Sequence, residues 1–407
     1  MKRLRFTMKQ IKLLVAYLIL ALPLMSQKAN VSNFSSIDAK ALKLPDSLTK
    51  TTDDISKYII QNFRTDREKT RAIFSWLANN IQYDIDNMFG INLYESKEDK
   101  INKPLKSRKG ICENYAALFN DICLKSGIKS FVIEGYTKQN GFADYLPHVW
   151  CAALIDTSWF MFDPTWGSGY INGGKFVKKI NNEYFQTMPS TLIKSHIPFD
   201  YLWQFLNYPI TNQQFYEGKT FQNKSRPYFN FIDSIQVYET QNRIDQLISS
   251  SYRIETNGVN NSLIFDRLYR IKLEIETVKL EIENERRNKN IDLYNATVEN
   301  YNDAINNFNV FLQYRNKQFK PMQSDQAIQK MIDTVTSILK EANSKLIQIK
   351  NPDKNIELLI SQLNKSINDL SIYVKEEQDW LIRYFSKSKE KRNSMFYEKK
   401  ATGVLSQ

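Results

Sequence analysis

The chain has 407 residues, 42% of them hydrophobic and 13% aromatic, and a formal net charge of +12. That length suits two domains better than one, and so many aromatic residues exclude a wholly disordered chain. Lys2, Arg3, Arg5, Lys9 and Lys12 account for five units of that net charge; the +7 that remains, spread over the rest of the chain, is weak evidence for nucleic acid, and no nucleic-acid partner is expected.

The same basic start precedes an apolar run from Ile11 to Leu24, closed by small or polar residues around Ser26. This is the layout of a secretory signal peptide, and the run is short for a membrane span. Residues 1–26 are therefore expected to be a signal peptide. The protein is expected to be exported, periplasmic or extracellular, with association to the cell envelope left open. No cysteine lies near the cleavage region, so no lipid anchor is expected. Residues 27–52 are polar and lack periodicity, and read as a linker or docking strap.

From Asp53 the pattern changes. Ile55, Ile59 and Ile60, then Ile73, Trp76, Leu77 and Ile81, have the spacing of two amphipathic helices, the second running from about Asp66 to "NNIQYD". A polar loop is expected between there and Pro104. It leads into "KGICENYAALFNDICLKSG", Lys109 to Gly127. Gly110 allows a tight turn, and Ala116, Leu118, Phe119 and Ile122 continue as a helix, which places Cys112 in its first turn. A thiol there lies near unsatisfied N–H groups and the positive end of the helix dipole, both of which favour thiolate. Cys123, about three turns on, reads as a core residue.

Three cysteines cannot all pair within the chain, and Cys112, Cys123 and Cys151 form no disulfide framework. The histidines are His148 and His196, and no CxxC or HxxxH spacing occurs. No metal site and no other cofactor is expected.

"SFVIEGYTK", "PHVWCAALID" and "WFMFDPTWG" are rich in β-branched and aromatic residues and read as antiparallel strands. A two-residue turn at Asp156-Thr157 pairs Ile155 with Ser158. His148 then lies opposite Thr165, with Asp163 two residues away on the same face, within reach of the imidazole. Cys151 points to the other face. A cysteine nucleophile needs a base and the base an orienter, roles that Cys112, His148 and Asp163 can fill.

Beyond Leu263 the chain is charged and nearly free of Gly and Pro. Leu268, Ile271, Ile275, Val278 and Ile282 step by three and four. The spacing resumes at Val298, Tyr301, Ile305, Phe308 and Leu312, and again at Ile328, Met331, Val335, Ile338 and Ala342. Ile356, Leu359, Leu363, Ile367, Leu370 and Val374 close the series. Such seams bury one stripe per helix against another helix. An unbroken first helix would extend about 80 Å. "ERRNKN" interrupts its seam near Glu285, where a bend or a change of partner is expected.

"AIFSWLANNIQYD", "GICENYAALFNDIC" and "HVWCAALIDTSWFMFDPTWG" together resemble the transglutaminase-like core of the papain-like superfamily. The resemblance runs from about Ser56 to Ile210, through "YFQTMPSTLIKSHIPFDYLWQFL", which is similar to a bacterial branch akin to the kyphoscoliosis peptidase family. It implies an α+β fold, a nucleophile helix packed on an antiparallel sheet, and maps the family's Cys, His and Asp onto Cys112, His148 and Asp163. The second oxyanion donor is left open among Trp76, Asn80, Gln82 and Tyr83, and His196 is expected to pack or hydrogen-bond.

The expected organisation is a signal peptide (1–26), a linker (27–52), a transglutaminase-like catalytic domain (53–215), a mostly helical connection (216–262) and an all-α helical bundle or coiled coil (263–407). The expected function is thiol acyl transfer, with cysteine-peptidase-like hydrolysis of a protein or peptide substrate ahead of protein crosslinking. No calcium-loop pattern supports animal-type regulation. The reading from another class is a catalytically idle scaffold whose C-terminal helices bind a partner or self-associate.

Overall fold

The computed structural model describes residues 34–397, apart from 89, 91–94 and 140–141, with the backbone alone at 139 and 142–145. The signal-peptide assignment lies outside the described residues. Two compact units divide after Ile275.

The first unit opens with α1 (Ser35–Ala41), α2 (Thr52–Asn62) and α3 (Asp66–Asn80). Thr51 and Thr65 accept backbone N–H groups at the starts of α2 and α3, and Glu68 completes a capping box with Thr65. The segment read as a linker or strap thus contains a helix, tied down by Asp38 pairing bidentately with Arg71 of α3 at 2.7 Å.

β1 (Gln82–Tyr83) precedes α4 (Lys97–Ser107), where the sequence pointed only to a polar loop. Ser96 caps α4 by accepting the Asp99 N–H at 3.0 Å. Pro104 inside it cannot donate to the Lys100 carbonyl four residues back, and the Asn114 side chain does so instead at 3.1 Å. A helix with an internal proline is therefore completed by a side chain from the next helix, which local sequence cannot reveal.

β2 (Lys109–Gly110) pairs in parallel with β1 and delivers the chain to α5 (Cys112–Lys125). Then come β3 (Ser130–Gln139), β4 (Phe142–Ile155) and β5 (Ser158–Phe162), followed by the hairpin of β6 (Gly169–Asn172) and β7 (Lys175–Lys178), and by β8 (His196–Pro198). The main sheet runs β5-β4-β3-β8, antiparallel throughout.

One face of this sheet, with Val149, Cys151, Ala153 and Phe162, packs on Ile59, Phe74, Leu118, Phe119 and Ile122 from the helices. The other, with Ile133, Trp150, Ala152 and Met161, packs on Leu202, Phe205 and Ile235. Covering both faces explains why β4 reads as a nearly continuous apolar run. Gly135 of β3 sits between its neighbours so closely that a Cβ would strike the Ile197 carbonyl and the Trp150 ring. Only glycine allows β8 to come this near.

The mostly helical connection contains α6 (Phe231–Thr240) and α7 (Arg243–Asn257), followed by α8 (Ser262–Asn316), α9 (Asp325–Ile347) and α10 (Lys354–Ser386). α8 is continuous through "ERRNKN". Arg286 and Asn290 donate to backbone carbonyls at Lys350, and Arg287 pairs with Asp353 at 3.1 Å, so this stretch serves the turn between α9 and α10. The second unit is an all-α bundle around Phe308, Phe311, Ile332, Val335, Leu339, Ile367, Val374 and Leu381. Its buried Glu377 pairs with Arg315 at 3.0 Å, and the guanidinium also lies over the Trp380 ring.

Candidate active site

The approach to Cys112 is set by its backbone. Ile111 is extended and has no side-chain oxygen, so it offers α5 no side-chain cap, unlike Thr51 and Thr65 at α2 and α3. The Asn114 side chain, itself in the first turn of α5, accepts the Ile111 N–H at 2.9 Å and steadies the turn. Buried Glu113 pairs with Lys100 of α4 at 2.8 Å. The first turn is thus held by side chains of α4 and α5, and the Asn114 and Tyr115 N–H groups close it onto the Ile111 carbonyl.

β4 and β5 supply the other two groups. Their ladder pairs Ile155 with Ser158 and Cys151 with Phe162, the register that places His148 and Asp163 together. Asp156, at φ 54°, closes the two-residue turn. His148 Nε2 lies 2.8 Å from Asp163 Oδ2, and Cys112 is among the groups that act on its imidazole. Since Nε2 is engaged by the carboxylate, Nδ1 is the ring nitrogen left for the sulfur. His148 and Asp163 are in contact, and Cys112 lines the same cleft as His148.

Asp163 is fully buried. Its Oδ1 accepts the Thr165 and Trp166 N–H groups at 2.9 and 3.1 Å, while Oδ2 faces both His148 and His196, the latter at 3.1 Å. Its backbone is pinned too, with the N–H donating to the Tyr184 carbonyl and the carbonyl accepting from Gly167. Burial pushes the carboxyl upward, but the charge and hydrogen bond of His148, joined by those of His196, hold it well below the usual carboxylate range. For His148, burial acts to lower the pKa. The Asp163 charge and hydrogen bond, with a smaller contribution from Cys112, overcome it and push the imidazole up to about 10.

These directions fix a stability profile. The contribution of His148 is complete below its ordinary value of 6.5 and is lost as pH rises toward about 10. That of Asp163 is complete above 3.8 and is lost as pH falls below that value. The pair should contribute most between 3.8 and 6.5. Urea midpoints of the full chain should decline from pH 6.5 to 10, and should decline less in His148→Ala; parallel curves for the two proteins would contradict the assignment.

A cleft of about 710 Å³ opens onto Cys112 and His148, walled by Tyr83, Met88, Trp166, Tyr170, Phe176 and Tyr184 among others. Among its described lining residues there is no Asp or Glu. The β6–β7 hairpin forms part of the wall; its turn uses Gly173 and Gly174 at φ 54° and 75°. "YINGGKFV" carries that signal in the sequence, a Gly-Gly pair between alternating strands.

Residues 53–164 match the model of the transglutaminase-like superfamily. This segment belongs to that superfamily. Two curated relatives extend the likeness beyond the matched residues. Human kyphoscoliosis peptidase is 30% identical over 216 residues, 49% of this chain and 32% of that protein. Hillarin of Drosophila melanogaster is 26% identical over 208 residues, 45% of this chain and 24% of that protein. The chain thus spans a third or less of the length of these relatives.

Within the transglutaminase-like domain the remaining residues separate clearly. Cys123 and Cys151 are fully buried, and burial pushes both thiols well above the ordinary value. Cys151 donates to the Ala116 carbonyl at 3.3 Å, on the helix-facing side of the sheet. Of the four oxyanion candidates, Trp76 is in the core, Asn80 donates back to the Trp76 carbonyl, and Gln82 is exposed. Tyr83 lines the cleft. Burial, followed by the nearby Cys112 and Asp163 charges, pushes its hydroxyl up to about 12, so it keeps its proton as a donor. His148, Asp163 and His196 have the donor types of a metal cluster, with ligand atoms within 4.8 Å of one another. Both imidazoles, however, address the same Asp163 oxygen, and a metal would have to displace those two hydrogen bonds.

Proposed function

We propose that this protein is an exported cysteine hydrolase of peptide or amide bonds. The observation that carries the reading is a cleft lined by Cys112 and by His148, whose imidazole is hydrogen-bonded to the buried Asp163 carboxylate. Cys112 Sγ attacks the substrate carbonyl as a thiolate whose proton is already held on His148 Nδ1, while Asp163 steadies the imidazolium through Nε2. The Cys112 backbone N–H and the Tyr83 hydroxyl are the donors offered to the resulting oxyanion. Its collapse expels the amine, protonated by His148, and leaves a thioester. Water, deprotonated by His148, then attacks the thioester and releases the acid and the thiol.

The aromatic lining supports a substrate with a large apolar side chain near the scissile bond. Without an acidic group among the described lining residues, the cleft has little to recruit a lysine ammonium as acceptor, which favours water over crosslinking. The name of the human relative, a peptidase, agrees with this choice. Export rests on the sequence pattern of residues 1–26.

The test offers the full chain, and its Cys112→Ala variant, casein together with a fluorescent primary amine. The expected result is new amino termini that depend on Cys112. Cys112-dependent incorporation of the amine without new termini would make it a crosslinking enzyme instead, and neither outcome would favour the idle scaffold.

A further inference from the structure

The cluster around Asp163 contains one more histidine than hydrolysis requires. His196 enters on β8, the edge strand that Gly135 admits, three residues of which pair with β3. Its ring is fully buried among Trp150, Trp166 and Tyr184, with ring centroids 5.2, 4.6 and 6.0 Å away. Its two nitrogens have different neighbours. Nδ1 lies 2.8 Å from Ser195 Oγ, and Nε2 lies 3.1 Å from Asp163 Oδ2, the oxygen that also receives His148.

Resting on the hydrolase reading above, we infer that His196 is a positioning residue whose Nε2–H donates to Asp163 Oδ2 and so fixes the carboxylate that orients His148. The alternating chain is Ser195 O–H to His196 Nδ1 at 2.8 Å, in preference to the Leu192 carbonyl at 3.3 Å from the same oxygen, then His196 Nε2–H to Asp163. A carboxylate carries its proton acceptors in its own plane. With Oδ1 committed to two backbone N–H groups, the second donor on Oδ2 stops the group from tilting away when His148 moves toward the sulfur. His196 touches no reacting atom. The titratable groups facing it are Asp163, His148, with its ring centroid 5.4 Å away, and Tyr184.

Two measurements on the full chain test this. The first is the iodoacetamide rate of Cys112 against pH, which needs no substrate, in wild type, His196→Phe, His196→Gln and His148→Ala. His196→Phe fills the space without a donor and should lower the rate near pH 6 about tenfold, the worth of one hydrogen bond to a charged group. His196→Gln can present an N–H at the same point and should restore most of it. Equal rates in wild type and His196→Phe would overturn the proposal, and so would equal losses in Phe and Gln variants with native near-ultraviolet dichroism. A rate unaffected by His148→Ala is a separate result, because it would sink the hydrolase reading itself. The second is imidazole ¹⁵N NMR of the wild-type chain, simple to assign because the sequence has two histidines. His196 protonated at Nε2 with Nδ1 bare is the expected tautomer; Nδ1–H with Nε2 bare would overturn the proposal whether or not the variants fold.

Discussion

In the folded chain Cys112 should be the one cysteine that iodoacetamide reaches near neutral pH, and His148→Ala should slow that reaction by about tenfold or more. The contrast begins with access. Cys112 lines the cleft, whereas Cys123 and Cys151 have no exposed surface and burial disfavours their thiolates. Both should label only after unfolding. His148 adds the electrostatic part, since an imidazole held protonated to about 10 places a cation beside the sulfur at neutral pH. In turnover the loss should be larger, about 10²–10⁴-fold for His148→Ala, because the base is also the acid that protonates the leaving amine. Mass spectrometry of tryptic peptides after timed alkylation gives all three rates at once. Equal labelling of the three cysteines, or a His148→Ala rate equal to wild type, would remove the activated nucleophile and with it the proposed function.

How much of this site was legible in the sequence depended on how local its determinants were. The pairing of His148 with Asp163 follows from one tight turn and the two-residue period of strands, so counting from Asp156-Thr157 was enough. The helix start at Cys112 was equally local, signalled by Gly110 and the apolar rhythm beyond it. What stayed hidden depends on contacts between distant segments. The role of His196 needs β8 beside β3, and that adjacency rests on Gly135, sixty-one residues upstream. α4 needs Asn114 to satisfy the carbonyl that Pro104 leaves free. In the bundle, Ile332 and Leu339 belong to the buried core while Met331 and Ile338 beside them are only partly buried. A helix packed against two neighbours buries a stripe wider than one row, which a single chain of three- and four-residue steps cannot trace. "ERRNKN" interrupts the apolar seam, where a bend or a change of partner is expected; its side chains are spent on the carbonyls and carboxylate of the α9–α10 turn, and the helix runs on.

The replacement Asp163→Asn should be nearly as damaging as loss of the base, although it changes one oxygen to an NH₂ group. The direction of the amide is determined by its surroundings. The Thr165 and Trp166 N–H groups need an acceptor and already point at Oδ1, so the amide oxygen must stay there. The new NH₂ then occupies the place of Oδ2, facing His148 Nε2 and His196 Nε2, each of which donates to that oxygen in the native site. A donor set against donors is a buried conflict, and the simplest relief is for His148 to carry its proton on Nδ1 and accept at Nε2. In that tautomer the nitrogen facing Cys112 already holds a proton and cannot take another from the thiol. The expected loss is about 10³–10⁴-fold in kcat with KM little changed, the signature of a base in the wrong tautomer inside an intact cleft. The alkylation rate of Cys112 at neutral pH should fall at the same time, because the imidazolium beside it is no longer stabilised. ¹⁵N NMR of the variant should show His148 protonated at Nδ1. A wild-type alkylation profile in Asp163→Asn, with His148 still protonated at Nε2, would mean that the carboxylate does not set the tautomer, and Asp163 would then be a structural acceptor for Thr165 and Trp166.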